Sequence, residues 1–339
     1  MFADLRSDTV TKPSTGMLEA MHSAEVSDDV LEGDPTCGRL ERRIAELTGQ
    51  QAAVFVPSGT MANQIAIRLH CSRDAEVLCE ANCHIYNYEQ AGYAQLSGVA
   101  VRPITGKSGR LSAEQLEGSV RPNDPHFPTT GMLAIENTHN KAGGIVLSPA
   151  ELQPLLDWAS QRDLPAHLDG ARLFNAVVAL DISAEEIAGG FDSISVCFSK
   201  GLGAPVGSAL CGSSEFINQA RRVRKLLGGG MRQAGFLAAA ALYALEHNVT
   251  RLAEDHQHAA LLADAIEASK SFELCSRPET NIVLFRPSVP NQSMDEVCRN
   301  LEQKGIGALP MGPNIIRLVT HLSVTSSEIN HACDVLGSQ

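Results

Sequence analysis

Short apolar segments alternate with helical patterns along roughly the first 250 residues, and this alternation constrains the fold more than any other feature. The apolar run Ala52–Val56 is followed by a helical pattern that contains Ile65 and Leu69. Further strand-like runs occur at 77–78, 98–103, 131–136, 165–169 and 191–198, and further helical patterns at 35–48, 148–162, 183–189 and 232–247. Short apolar strands separated by helices predict an α/β fold whose mostly parallel sheet is covered on both faces.

The pattern changes after about residue 250, where a long helical stretch at 251–269 begins. Two strand-like runs, at 280–286 and 314–320, then alternate with helical stretches at 293–304 and 325–337. This mixture predicts a smaller α+β domain at the C-terminal end. We therefore predict an N-terminal arm (1–15), a large domain (16–250) and a small C-terminal domain (251–339).

Charge and hydropathy exclude some classes of protein. The net charge of −12 disfavours a nucleic-acid-binding protein, because phosphate backbones require a basic surface. No apolar run approaches the length of about 20 residues that spans a bilayer, and residues 1–6 lack the apolar stretch of a signal peptide. We expect a cytoplasmic protein that binds neither a membrane nor a nucleic acid.

The cysteines do not predict a metal site. Cys79, Cys83 and His84 form the single metal-like cluster among nine cysteines, and no second pair of ligands follows it. We therefore predict no metal and expect reduced, mostly buried thiols.

Three polar motifs follow apolar strands. In Pro57-Ser58-Gly59-Thr60 a strand ends and a helix begins, a junction that can bind phosphate through free N–H groups but that also occurs for structural reasons alone. Asp169 ends the stretch 164–168 and either caps the next turn or faces a ligand, with Arg172 or a ligand cation as its possible partner. Lys200 ends another apolar strand, where a lysine is either a solvated charge or an amine able to form an imine.

Together the three motifs match the requirements of pyridoxal 5′-phosphate. Its phosphate needs N–H donors, its pyridinium nitrogen needs a buried anion, and its aldehyde needs an amine. A phosphate cup at Gly59 and Thr60, Asp169, and Lys200 placed 31 residues after that aspartate could supply them. The sequence thus predicts this cofactor.

Seven motifs give the sequence a family resemblance over nearly its whole length. They are DLRSDTVT (4–11), VPSGTM (56–61), ENTHN (136–140), HLDGAR (167–172), SKGLGAPVG (199–207), GGGMRQ (228–233) and RLVTH (317–321). With them the sequence resembles the L-threonine aldolases, of the low-specificity and allo-threonine types, in the aspartate-aminotransferase-like fold. The resemblance implies a PLP-dependent transferase-like (fold type I) large domain with a mostly parallel seven-stranded sheet.

The resemblance also implies roles for individual residues. Lys200 would be the Schiff-base lysine and Asp169 the partner of the pyridinium nitrogen. The cofactor would further be held by Ser58, Gly59, Thr60, His84, Arg172, Lys225 and Arg232, the last two reaching the phosphate of a neighbouring subunit. The substrate would be bound by Ser7, His126, Arg172 and Arg317. The family usually forms dimers or tetramers, so we expect a homodimer or homotetramer with shared sites.

The implied reaction is the reversible cleavage of L-threonine, L-allo-threonine and other L-β-hydroxy-α-amino acids to glycine and an aldehyde. Either His84 or His126 would take the β-hydroxyl proton. An aminotransferase or a β-eliminating lyase would share the same lysine, aspartate and phosphate cup, and a non-catalytic protein that binds the cofactor is the alternative outside enzymes. The sequence departs from the common family pattern at Leu31, where many members have an aromatic residue, and at 141–144.

Overall fold

The computed structural model describes residues 1–289 and 292–338. Pro290, Asn291 and Gln339, which belong to the predicted C-terminal domain, lie outside the described residues. The chain begins with the short strand β1 (Ala3–Asp4), followed by a 3₁₀ turn (Asp8–Val10).

A seven-stranded sheet forms the centre of the large domain. Its strands are β2 (Ala52–Val56), β3 (Glu76–Glu80), β4 (Ala100–Ile104), β5 (Thr130–Glu136), β6 (Ala166–Gly170), β7 (Ser193–Cys197) and β8 (Ser208–Gly212). They lie in the order β2-β8-β7-β6-β5-β3-β4, and all neighbours are parallel except β8, which is antiparallel to both β2 and β7. The predicted mostly parallel α/β fold is confirmed.

Helices cover this sheet and connect its strands. They are α1 (Thr15–His22), α2 (Pro35–Thr48), α3 (Gly59–His70), α4 (His84–Asn87), α5 (Gly92–Ser97), α6 (Ala113–Leu116), α7 (Pro149–Ser160), α8 (Leu173–Leu180), α9 (Ala184–Ala188), α10 (Ser214–Leu226) and α11 (Gly235–His247). The start of α2 shows how the sequence sets a boundary. Asp34 accepts hydrogen bonds from the backbone N–H groups of Thr36 and Cys37, and Pro35 occupies the first turn, where no donor is needed.

The C-terminal part has its own sheet and its own apolar core. Strands β9 (Phe272–Leu274), β10 (Ile282–Pro287), β12 (Leu309–Gly312) and β13 (Ile315–Val319) form an antiparallel sheet in the order β12-β13-β10-β9. It packs with α12 (Leu252–Ala268), α13 (Met294–Gln303) and α14 (Ser326–Gly337). The remaining strand, β11 (Ile306–Gly307), pairs in parallel with β1, so the first residues of the chain lie against the C-terminal sheet region.

The sequence pattern did not indicate β8 or the helices α1, α8 and α10. Strand β8 has only three apolar residues between Ser208 and Gly212, too few for a clear periodicity. It also returns antiparallel to β7 through residues 198–207 with no intervening helix, which breaks the strand–helix alternation. None of the helices in the described residues is long and apolar enough to cross a membrane.

Candidate active site

Two predicted site residues lie where the central strands β6 and β7 end. Asp169 of β6 is in register with Ser195 of β7, and Lys200 follows β7 by three residues. The backbone of Lys200 is held in place, because its carbonyl accepts hydrogen bonds from the Gly203 N–H (2.8 Å) and the Thr11 hydroxyl (3.1 Å). Since adjacent parallel strands end at the same edge of a sheet, these two residues come together at the edge where α/β proteins bind ligands.

A cavity of about 330 Å³ opens at this edge, between the large sheet and strands β12 and β13. Its lining consists of Ser7, Thr9, His84, Tyr88, Glu136, Asn140, Ala171, Arg172, Lys200, Leu309, Pro310, Met311 and Arg317. The structure therefore brings five of the residues predicted from the sequence, on five separate segments, to one cavity. These are Ser7, His84, Arg172, Lys200 and Arg317.

Asp169 is buried beside the cavity, with 2% of its surface exposed. One carboxylate oxygen accepts a hydrogen bond from the Asn63 side-chain N–H (2.9 Å), and the other accepts from the backbone N–H of Ala171 (3.2 Å). Arg172, which the sequence offered as a possible partner of Asp169, pairs with Asp8 instead. Asp169 thus remains a buried anion that two neutral donors orient.

Asp8 and Arg172 form a buried bidentate ion pair. The Nε and one Nη of Arg172 each donate to a carboxylate oxygen of Asp8 at 2.7 Å, and Asp8 is fully buried. Burial alone would raise the pKa of Asp8, but the charge and hydrogen bonds of Arg172 outweigh it and lower that pKa to about 2. The pair ties the N-terminal segment to the start of α8 and fixes the guanidinium of Arg172 at the cavity.

Arg317 lies on β13 at the opposite wall and is 8% exposed. One Nη donates to the side-chain oxygen of Asn140 (2.8 Å) and the other to the carbonyl of Arg6 (3.2 Å). Its buried Nε has no partner among the described residues. Burial, and next the charge of Arg172, lower the pKa of Arg317, so this cation would gain from an added anion.

His84 begins α4 and is held by two carboxylates. Its backbone N–H donates to Glu136 (2.6 Å), and its Nδ1 lies 2.9 Å from Glu89, whose side chain is fully buried. Burial lowers the pKa of His84, but the hydrogen bond to Glu89 and the charges of Asp169, Glu89 and Glu136 raise it above its ordinary value overall. With Nδ1–H donating to Glu89, Nε2 is the ring nitrogen left to exchange a proton with a ligand.

The predicted phosphate cup lies at the start of α3. Ser58 caps this helix by accepting a hydrogen bond from the backbone N–H of Met61 (3.2 Å). A Cβ on Gly59 would lie 2.6 Å from Cys197 Sγ, so a glycine is required where this helix meets the end of β7. Thr60 follows in the first turn, whose backbone N–H groups are suited to an anion.

Besides Asp169 and the phosphate cup, three further predicted residues do not line the cavity of their own chain. The side chain of His126 is 86% exposed and its Nδ1 bonds to Asp124 at 2.7 Å. Lys225 lies in the last turn of α10, and the side chain of Arg232 is 51% exposed and pairs with Asp28 at 3.1 Å. All three are therefore placed on the outside of the single chain.

The sequence predictions gave no role in the site to Asp8, Glu89, Glu136 or Asn140. A signal existed for three of these residues, since Asp8 lies in the motif 4–11 and both Glu136 and Asn140 lie in 136–140. Glu89 lies outside every motif, and only its contact with His84 marks it.

Together these groups can bind an amino-acid derivative of pyridoxal phosphate. Lys200 supplies an amine, Asp169 a buried anion, and the start of α3 a set of N–H donors. One oxygen or nitrogen from each of His84, Glu89 and Asp169 lies within 4.8 Å of the others, as in a metal site. Those atoms already hydrogen-bond to one another or to Asn63, which accounts for their approach without an ion.

The chain is similar to known proteins of one enzyme family. Residues 4–289 match the beta-eliminating lyase family. The low specificity L-threonine aldolase of Escherichia coli (strain K12) is 43% identical over 327 residues, which cover 96% of this chain and 96% of the relative. The probable low-specificity L-threonine aldolase 2 of Arabidopsis thaliana is 42% identical over 334 residues, which cover 97% of this chain and 94% of the relative. A solved structure of a Leishmania major threonine aldolase has the same fold, with a TM-score of 0.83, 22% identity and 99% of each chain covered.

Proposed function

Since this chain belongs to the L-threonine aldolase family, within the beta-eliminating lyases, we propose that it cleaves L-threonine and L-allo-threonine reversibly to glycine and acetaldehyde. Other L-β-hydroxy-α-amino acids would give glycine and the corresponding aldehyde, which makes the protein a carbon–carbon lyase. The observation that carries the proposal is the meeting of Lys200, Arg317 and His84 on one 330 Å³ cavity. A cleavage of this kind needs an amine, a carboxylate anchor and a base.

The cofactor in this proposal is pyridoxal 5′-phosphate. Lys200 would hold its aldehyde carbon, Asp169 would face its ring nitrogen, and the N–H groups at Gly59 and Thr60 would bind its phosphate. When bound, the cofactor supplies an electron sink for the pair released from the Cα–Cβ bond. The fit rests on Asp169 being 2% exposed and bonded to no cationic side chain among the described residues, which leaves its charge for the ring.

Arg317 and Ser7 bind the substrate carboxylate. The unpartnered Nε of Arg317 and its Nη groups form a planar set of donors that suits a carboxylate. Ser7 lines the same cavity, and Arg172 adds positive charge that Asp8 holds in place. Fixing the carboxylate orients the Cα–Cβ bond for cleavage.

His84 takes the β-hydroxyl proton at Nε2. Glu89 occupies Nδ1, and the raised pKa of His84 makes the imidazole a stronger base than a free histidine. His126 is the alternative base, and its exposed position requires that it serve a cavity other than that of its own chain. The same holds for Lys225 and Arg232 as ligands of a phosphate.

We therefore propose a homodimer or homotetramer in which subunits share their sites. Exposed apolar side chains lie close to the outward basic residues, with Leu31 81% exposed and Leu226 66% exposed. Burying such side chains against a second copy would contribute to association. We further propose that the enzyme works in the cytoplasm.

The test is to mix the purified protein with L-threonine and measure both products. We expect glycine and acetaldehyde in equal amounts, and a comparison of L-threonine, L-allo-threonine and L-phenylserine would define the substrate preference. The variant Lys200→Ala is the control for cleavage that depends on the lysine. Release of a keto acid would indicate an aminotransferase, and no aldehyde from any of the three substrates would refute the aldolase.

A further inference from the structure

The side chain of Asn63 lies between two buried carboxylates beneath the cavity. Its Nδ2 donates one hydrogen bond to Asp169 (2.9 Å) and one to Glu89 (2.8 Å), and Asn63 itself is 2% exposed. An amide nitrogen has two N–H bonds, and both are used here. Asn63 does not line the cavity, so any effect it has on a ligand passes through its partners.

The opposite end of the amide fixes its orientation. The side-chain oxygen of Asn63 lies 2.7 Å from the hydroxyl of Ser195 and 3.0 Å from Nε2 of His167. A flipped amide would direct its oxygen at two carboxylates, where it would accept nothing. The N–H groups of Asn63 must therefore face Asp169 and Glu89.

The proton positions behind Asn63 follow from the same contacts. Burial lowers the pKa of His167 to about 3, so the ring is neutral, and its Nε2 must carry the hydrogen that Asn63 accepts. Its Nδ1 then accepts from the hydroxyl of Ser193 (2.8 Å), which leaves the Ser193 oxygen to accept from Nε2 of His70 (2.8 Å). Donation thus runs in one direction, from His70 on α3 to the two carboxylates.

On the basis of the proposed function, we propose that Asn63 is a positioning residue that joins the anchor of the cofactor ring, Asp169, to the Glu89–His84 pair. Two adjacent carboxylates repel each other, and the two N–H groups of one rigid amide hold both in fixed orientations. The same Glu89 oxygen that accepts from Asn63 also accepts from His84 Nδ1. Asn63 is therefore the side chain that links the base to the ring anchor. The remaining oxygen of each carboxylate has its own donor, the Ala171 N–H on Asp169 (3.2 Å) and Nε2 of Gln64 on Glu89 (2.7 Å).

The test replaces Asn63 in the full chain loaded with pyridoxal phosphate and measures the pKa of His84 by NMR of labelled histidine. In Asn63→Asp a donor becomes an acceptor, and a negative charge is added beside Glu89, so the pKa of His84 should rise by about one unit or more. Asn63→Ala adds no charge and is the second variant to measure if Asn63→Asp does not fold. In Asn63→Ala the pKa of His84 should rise by less than in Asn63→Asp. The charged groups and the phenol that face His84 or share its cavity are Glu89, Asp169, Glu136, Tyr88, Lys200, Arg172 and Arg317, and none of them is changed.

Kinetics separate positioning from general damage. Both variants should lower kcat by about tenfold or more and leave KM for L-threonine within about threefold, because Asn63 touches neither the cavity nor Arg317. The acidic limb of the kcat profile should move to higher pH together with the His84 pKa. The matched control is Asn175→Asp, which makes another buried asparagine acidic. The Asn175 amide contacts His256 (3.2 Å) and no carboxylate in the described part of the chain. This control variant should lower thermal stability without moving the His84 signal.

The outcomes distinguish this inference from the proposed function. An unchanged His84 pKa and pH profile in a folded Asn63 variant would overturn the inference, even if the wild type cleaves threonine. An equal shift in Asn175→Asp would overturn it as well. Failure of the wild type to release aldehyde would refute the proposed function, whereas the NMR comparison would still report whether Asn63 controls His84.

Discussion

The buried pair of Asp8 and Arg172 allows a quantitative prediction for Asp8→Asn. Lowering the pKa of a fully buried carboxyl group from 3.8 to about 2 corresponds to about 2.5 kcal/mol of folding free energy, at about 1.4 kcal/mol per pH unit. The asparagine also leaves the guanidinium of Arg172 buried without a counter-charge, which adds to the loss. We therefore expect the variant to lose about 2–4 kcal/mol of unfolding free energy at pH 7.

The stability difference between wild type and Asp8→Asn should depend on pH in one direction only. A carboxyl group whose pKa is lowered in the folded state stabilises it fully above the unfolded value of 3.8, and that contribution is lost as the pH falls toward about 2. The difference between wild type and Asp8→Asn should stay constant from pH 7 to pH 5 and shrink below about pH 4. Urea unfolding followed by far-UV circular dichroism, at one protein concentration and several pH values, measures it.

The chain contains a matched control in the same N-terminal segment. Asp4 also forms two 2.7 Å hydrogen bonds with an arginine, Arg6, but the arginine side chain is 50% exposed. Water screens such a pair, so Asp4→Asn should cost less than about 1 kcal/mol. Equal losses for the two variants at pH 7, or a difference that persists unchanged at pH 3, would refute the argument from burial.

Three further predictions concern the site and the stability of the fold. His84→Ala should lower kcat by about 10²–10⁴-fold, as expected for a lost general base, and a loss below about threefold would remove His84 from that role. Gly59→Ala should cost about 1–3 kcal/mol and weaken cofactor binding, because its Cβ would lie 2.6 Å from Cys197 Sγ. Gly38 lies inside helix α2, and a Cβ there would meet no atom closer than 3.4 Å, so Gly38→Ala should instead stabilise the folded protein by about 0.5–1 kcal/mol. Thermal melts and cofactor titrations of both glycine variants test this contrast. Burial raises the pKa of Asp255 to about 7, so its contribution to stability is full below pH 3.8 and is lost as the pH rises through 7. As the pH rises from 5 to 8.5, the stability of Asp255→Asn should therefore increase relative to that of the wild type. Melting temperatures of the two proteins that change in parallel with pH would contradict this.

Sequence patterns predicted most of the large sheet, because β2, β3, β5 and β6 are largely buried runs that a helix follows. Ala52–Val56 was predicted with the bounds that the structure has, and the helical pattern at 35–48 has the bounds of α2. Strand β8 was missed, since its place in the sheet depends on pairing with β2 and β7 rather than on a pattern of its own. Local patterns report local preference, and pairing between distant segments overrides them.

The candidate site shows the same contrast between local patterns and contacts of distant segments. Lys200, Asp169 and Gly59 were selected from the sequence alone, because strand ends and helix starts are local features that can be recognised from neighbouring residues. Their partners were not, since Asp8 meets Arg172 from 164 positions away and Asn63 meets Asp169 from 106 positions away. The sequence by itself determined which groups lie at the edge of the sheet. Only the tertiary structure decided which buried charges pair, because a buried charge is stable only where the fold brings it a partner.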